Sequence, residues 1–177
     1  MINYETKDGK VITLRLPNES DAKEIIEFYQ QVAKETTYLS FGEGEYQVTE
    51  EQQISSINSA NQSDNNTMVL ATIDSKLIGI GTISSNQKKK GKHVGILGIV
   101  ISEDYCNIGL GKIMMDYLID WCKSNNITTK ISLSVRKDNP RAIHLYEKCG
   151  FVTEGILVNE TLIDGEYFDI VTMGLVL

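Results

Sequence analysis

The stretch His93-Val-Gly-Ile-Leu-Gly-Ile-Val-Ile101 is almost entirely apolar, and a glycine-containing turn and a helical pattern over 109–123 follow it. Apolar side chains at successive rather than alternate positions mark a strand covered on both faces. The chain around it must therefore fold as a sheet with helices packed against it.

The flanking pattern agrees. Extended-type residues over 2–16 surround Asp8-Gly9, a dipeptide that tolerates the positive φ of a tight turn, so a β-hairpin is expected to open the protein. Asn18 to Asp21 offer capping oxygens, and Ala22, Ile25, Ile26, Tyr29, Val32 and Ala33 recur at helical spacing. Thr49-Glu-Glu-Gln52 reads as a capping box before Ile54 and Ile57; the polar stretch 58–66 is expected to be loop, which makes the second helix short. Strands are expected over 67–73 and 77–83 on either side of Asp74-Ser-Lys76, over 93–101 and over 130–135. Two more, over 151–162 and 166–177, flank Asp164-Gly165, and the last helix is expected over 139–149. The order is ββαα, βββ, α, β, α, ββ, a mixed α/β sheet with helices on its faces.

Composition narrows the function classes. A chain of 177 residues with no linker and no repeat reads as one domain over 1–177. The 17 Lys and Arg against 24 Asp and Glu give −7, which argues against a surface made for nucleic-acid phosphates or anionic lipid. Lys88-Lys-Lys90 with Lys92 has no interleaved aromatics and reads as a solvated hairpin loop. Cys106, Cys122 and Cys149 form no CxxC pair and have no His at ligand spacing, so no disulfide framework and no metal site is expected. Nothing resembles a membrane span or a leader, and a cytoplasmic protein is expected.

Two motifs carry chemistry. Cys106-Asn-Ile-Gly-Leu-Gly-Lys112 places two glycines at the start of a helix, where turned backbone amides and the helix dipole favour an anion such as a diphosphate. A Gly-x-Gly before a helix also makes an ordinary tight connection, and the spacing matches neither GxGxxG, since Met114 stands at the third glycine, nor GxxxxGK[ST]. The second motif is Asn139-Pro-Arg-Ala-Ile-His-Leu-Tyr-Glu-Lys-Cys-Gly-Phe151, which joins a strand end, a helix and a new strand.

The pattern N-x-x-A-x-x-L-Y-x-K-x-G-F downstream of a strand, a GxG turn and a helix resembles the GNAT superfamily of acetyl-CoA-dependent N-acyltransferases, over about 67–175. The resemblance implies a mostly antiparallel sheet of about seven strands with helices on both faces and a central parallel pair. It implies acetyl-CoA as cosubstrate, with the amides of Asn107, Ile108, Gly109, Leu110, Gly111 and Lys112 wrapping the pyrophosphate. It assigns Ile99, Val100 and Ile101 to the pantetheine arm, with the backbone around Val100 as oxyanion hole. It assigns Asn139 to the cofactor arm, and Tyr146 to protonation of the departing thiolate as general acid.

The departures are specific. Cys106 stands where the family often has Gln or Arg, and without a neighbouring His or carboxylate it does not read as a nucleophile. Many relatives carry a general-base Glu where this chain has Ile96, which leaves the base among water, Glu35 and His93. His144 points away from the face of Ala142, Ile143 and Tyr146 and reads as solvated. The segments Glu35-Thr-Thr-Tyr-Leu39 and Glu43-Gly-Glu45 lie where the family shapes its acceptor pocket, and both also read as ordinary polar loop. The expected function is acetyl transfer to a primary amine of a small molecule or peptide by direct attack in a ternary complex. Acetyl-CoA and the amine are the partners, with neither nucleic acid nor membrane, and a homodimer is expected from the family. The alternatives are an acyl-CoA-binding or sensing module without turnover and a structural domain, which would have no affinity for coenzyme A.

Overall fold

The computed structural model describes residues 1–6 and 9–177. Its elements are β1 Ile2–Glu5, β2 Val11–Arg15, α1 Ala22–Glu35, α2 Glu50–Asn61, β3 Thr67–Ile73, β4 Lys76–Ser85, β5 Val94–Ile101, α3 Leu110–Ser124, β6 Lys130–Arg136, α4 Pro140–Lys148, β7 Val152–Ile163 and β8 Glu166–Val176. The strands form one sheet in the order β1-β2-β3-β4-β5-β6-β8-β7. Eight strands are present among the described residues, against about seven in the family pattern. Every neighbouring pair is antiparallel except β5 and β6, the expected central parallel pair.

Local chemistry explains most boundaries. β1 and β2 pair antiparallel, as the opening hairpin requires, and Asp8 of its expected turn lies outside the described residues. Arg15 at the end of β2 donates twice to the Asp21 carboxylate at 2.7 Å, and Asp21 in turn accepts from the Asn18 N–H, so the strand is tied to the start of α1. Thr49 and Gln52 form the capping box of α2. That helix runs to Asn61, beyond the expected loop start at Asn58. Its late asparagines have partners: the Asn58 amide donates to Glu19 at 2.7 Å and the Asn61 amide to the Pro17 carbonyl at 2.8 Å, while Ile57 is fully buried. Polar residues that bond to the neighbouring segment do not end a helix. The β3–β4 turn is also tighter than expected. Asp74 and Ser75 both adopt positive φ, a two-residue hairpin turn, and Lys76 is already strand.

The sheet separates two apolar layers. On one face α1 and α2 bury Ile25, Phe28, Val32 and Ile57 against Leu70 and Ile80. On the other, α3 buries Met114, Met115 and Leu118 against Leu133 and Met173, with α4 packed at the edge of the same layer. All seven residues of β3 are buried. β5 starts at Val94, leaving His93 in an exposed turn, and its covering lapses at Ile96, which is 52% exposed.

Candidate functional site

The parallel ladder between β5 and β6 is short: Val94 faces Lys130, Gly95 faces Ile131, Ile96 faces Ser132, and there it stops. β5 continues to Ile101 and β6 to Arg136, each still held on its outer edge, by β4 and β8. The two strands therefore part, and a cleft of about 1540 Å³ opens between their C-terminal halves. Single small-ligand sites run to roughly 300–1,000 Å³, so this one has room for two reactants.

Register decides which backbone groups face the gap. The Ser102 N–H donates to the Ile78 carbonyl at 3.1 Å, and Val100 lies opposite Ile80 in the same ladder. Hydrogen-bonded pairs alternate along an antiparallel ladder, so the even-numbered residues of β5 bond to β4. On the other edge the His93 carbonyl accepts from the Thr129 and Lys130 N–H groups, so the odd-numbered residues face β6. The Ile96–Ser132 rung takes up the Leu97 N–H, and past it that side has no strand opposite, which leaves the amides of Ile99 and Ile101 turned into the cleft. Ile99, Val100 and Ile101 all line the cleft, but the Val100 amide bonds to β4. The backbone donors there are its neighbours Ile99 and Ile101, within the stretch around Val100 that the family pattern assigns to this role.

At the mouth of the cleft, Asn107 (φ 71) and Gly109 (φ 88) both take the left-handed conformation on either side of Ile108 and turn the chain into α3. The first amides of a helix have no partner within it, and no acidic side chain sits in the first turn of α3. Asn107, Gly109, Gly111 and Lys112 line the cleft, as does Cys106, whose thiol lies 3.7 Å from the Ser102 carbonyl. Ile108 and Leu110 do not. Leu110 is 1% exposed in the core and Ile108 packs against it, so these two side chains anchor the turn and only their backbone is available. A Cβ on Gly111 would come within 2.9 Å of Leu145 Cδ2, so the glycine lets the tip of that α4 side chain pack onto the start of α3. Lys112 is paired within its own helix to Asp116.

The helix α4 supplies the next wall. The Asn139 side-chain oxygen accepts from the Ala142 N–H at 3.1 Å as the helix cap, which leaves the amide nitrogen of Asn139 as its donor toward the cleft. Tyr146 lines the cleft with its ring centroid 6.0 Å from that of Phe151. Burial, with the neighbouring Cys149, pushes its phenol above the usual tyrosine value. Among the described residues nothing bonds to its hydroxyl, so the proton is held and available. His144 is exposed, as expected.

The opposite end is walled by side chains from the loop after α1, from β6 and from the last hairpin. Glu35 lines it, but its carboxylate accepts from the Glu103 N–H at 2.9 Å, the Gln31 amide at 2.8 Å and the Ser102 hydroxyl at 3.4 Å. It therefore ties α1 to the turn after β5. Of the expected acceptor-pocket residues, Glu35 to Leu39 border the cleft; Glu43 and Glu45 do not, Glu43 pairing with Lys34 and Glu45 accepting from the Gly42 N–H. His93, at the other end of β5, and Ile96 are not cleft residues either. Arg136 and Glu160 are, and no motif pointed to them. Glu160 sits where β7 departs from its register with β8 between Leu157 and Thr161, beside Asn159 at φ 57. A lone Glu in an alternating strand gives no sign of a bulge. Among the described residues, no group of His, Cys, Asp or Glu side chains is arranged to hold a metal ion.

A family model described as the acetyltransferase (GNAT) family matches residues 25–151. The spermidine N(1)-acetyltransferase of Vibrio cholerae is 39% identical over 75 residues, covering 42% of this chain and 43% of that protein. The L-amino acid N-acetyltransferase AaaT of Escherichia coli is 34% identical over 101 residues, covering 57% of this chain and 62% of its own. The match thus spans less than two thirds of either relative. An acetyltransferase of the GNAT family from Streptococcus pneumoniae has a crystal structure that superposes with a TM-score of 0.92 at 33% identity, covering 94% of this chain and 99% of that one.

Proposed function

This chain belongs to the acetyltransferase (GNAT) family, and from that premise we propose that it transfers an acetyl group from acetyl-CoA to a primary amine of a small molecule or peptide, both bound at once. The observation that carries the reading is the parting of β5 and β6: it leaves the free amides of Ile99 and Ile101 in one cleft with the turned amides at Asn107 and Gly109 and with the Tyr146 hydroxyl.

The residues divide the work as follows. Backbone N–H groups from Asn107 to Lys112 receive the pyrophosphate at the N-terminus of α3. The free edge of β5 pairs with the pantetheine arm, and the Ile99 or Ile101 amide donates to the oxygen on which negative charge develops. The Asn139 amide nitrogen donates to the same arm. Tyr146, kept protonated by burial, gives its proton to the departing sulfur. Holding two reactants in one cleft supplies much of the rate.

The position where many relatives carry a glutamate, Ile96, is exposed and outside the cleft, and it offers no group to take a proton. Among the described residues the carboxylates of Glu103 and Glu160 line the cleft without a partner; Glu160, on the hairpin side, is the one read here as receiving an ammonium and, through water, its proton. The relatives' printed substrates, spermidine and L-amino acids, share only the amine.

No helix among the described residues is long and apolar enough to cross a membrane. With three free cysteines, the reading is of a cytoplasmic enzyme. The sheet ends at β7, whose outer edge is unpaired and which exposes Val152, Ile156 and Val158 beside Tyr167 of β8. An apolar free edge of this length favours a second copy of the chain, so the enzyme is read as a homodimer.

The test is thiol release from acetyl-CoA on addition of a panel of primary amines. Amine-dependent release that collapses in Tyr146→Phe supports the reading. Coenzyme A binding with no release for any amine would make the protein a binding module instead.

A further inference from the structure

The side chain of Arg136 is the best-partnered group near the cleft, although it touches none of the atoms assigned to the reaction. It closes β6 and is 7% exposed. Its Nε donates to Asp138 Oδ1 at 2.9 Å and its Nη2 to Oδ2, so the carboxylate neutralises it two residues away. Its Nη1 donates to both the carbonyl and the hydroxyl of Thr37, at 2.9 and 3.1 Å. The guanidinium lies between two rings, 4.8 Å from Tyr38 and 4.1 Å from Phe168. Tyr38 completes the circuit, its hydroxyl donating to the Asp138 carbonyl at 3.1 Å.

The β6–β8 ladder already joins two of the segments these contacts link, Arg136 lying opposite Ile170 in it; the loop after α1 is outside that ladder, and the guanidinium ties it to both. The loop after α1 borders the acceptor end of the cleft, the β6–α4 connection leads into Asn139, and Phe168 belongs to the last hairpin. A planar guanidinium that forks onto a carboxylate, donates to a backbone carbonyl and stacks on two rings does work that a lysine cannot copy. Because Asp138 takes up its charge, Arg136 is not a receptor for an anionic acceptor; it shapes the site and leaves the unpaired carboxylates of Glu103 and Glu160 to set the local charge.

We propose that Arg136 is a positioning residue for the amine: it clamps residues 36–40 across the acceptor end of the cleft, and its loss opens that end while leaving the cofactor end intact. The kinetic part rests on the acetyl-transfer reading; the clamp itself does not.

Two variants and two readouts test it. Arg136→Lys keeps the charge and loses the fork. Tyr38→Leu removes the ring and the hydroxyl from a half-exposed loop position and is expected to fold even if Arg136→Lys does not. In both, amide hydrogen exchange over 36–40 is expected to rise by about tenfold or more, while exchange in α3 and the calorimetric affinity for coenzyme A stay as in the wild type. KM for the amine is expected to rise by about tenfold with kcat little changed, and to do so alike for amines with and without a carboxylate. Unchanged exchange over 36–40 in Tyr38→Leu would overturn the clamp. A KM effect confined to carboxylate-bearing amines would overturn it too, by making Arg136 a direct receptor. A wild-type protein that releases no thiol with any amine would remove the acetyl-transfer reading, and the exchange experiment would still decide the clamp.

Discussion

The two ends of the cleft are built from different material. The cofactor end is mostly backbone: odd-numbered amides of β5, the turn around Asn107 and Gly109, and the first turn of α3, with Asn139 and Tyr146 the only side chains given a task. The acceptor end is side chains: Glu35 holding α1 to the turn after β5, Arg136 holding the next loop, and Glu160 presented by a bulge in β7. A backbone site accepts almost any side chain provided glycines stand where the turn needs them. A side-chain site changes with each substitution. One fold can thus keep its acyl donor while its acceptor varies.

The largest expected effect on cofactor binding is a break of the backbone end. Gly111→Val sets a branched side chain among the amides that open α3 and obliges the tip of Leu145, 2.9 Å from the new Cβ, to turn aside; affinity for acetyl-CoA should fall by about tenfold, roughly 1.4 kcal/mol, in a calorimetric titration. Exchange over residues 36–40 should stay as it is, because the acceptor end does not depend on that contact.

The largest on turnover is Tyr146→Phe, which should lower kcat by about two to four orders of magnitude and leave acetyl-CoA affinity unchanged. The pH profile carries the sign. An acid must be protonated to act, and burial raises this phenol above its ordinary value. The alkaline fall of kcat assigned to it should therefore lie above about pH 10 in the wild type, and be absent in the variant.

Asn139→Ala sharpens the comparison, since this residue is both helix cap and cleft donor. Losing the cap should cost about 1 kcal/mol of stability, measured by denaturant unfolding. A drop in acetyl-CoA affinity beyond that of a stability-matched cap variant would register the free amide nitrogen.

The smallest effect on activity is expected far from both ends. Asp21→Asn breaks the Arg15 pair that ties β2 to α1 and should reduce stability with no change in acetyl transfer. Arg15 holds the Asp21 carboxyl below its usual value. Its contribution is therefore present above the ordinary carboxylate range and lost as pH falls through the lowered value, so wild type and variant should converge in acid.

How much of this was legible follows the same division. The apolar run ending at Ile101, the glycines of the α3 turn and the Asn139 to Phe151 motif are local patterns, and they located the sheet centre, the mouth of the cleft and Tyr146. Ile108 and Leu110 look like the rest of the turn in sequence yet point into the core, because a turn must be anchored as well as opened. Whether Val100 or its neighbours face the gap depends on the register between β4 and β5, which no single strand encodes. The long α2 was hidden because Asn58 and Asn61 find partners in Glu19 and Pro17, distant in sequence. Arg136 was invisible for the same reason: Thr37, Tyr38 and Phe168 meet it only after folding.

The central claim is that the parted strands and the α3 turn form a site for acetyl-CoA before any amine is present. Calorimetric titration of the protein with acetyl-CoA and with coenzyme A, repeated on Gly109→Trp, tests it most directly. Micromolar binding by the wild type, lost in the variant that places a bulky side chain at φ 88 in the mouth of the cleft, is the predicted result. No binding by the wild type, or equal binding by both proteins, would contradict the account.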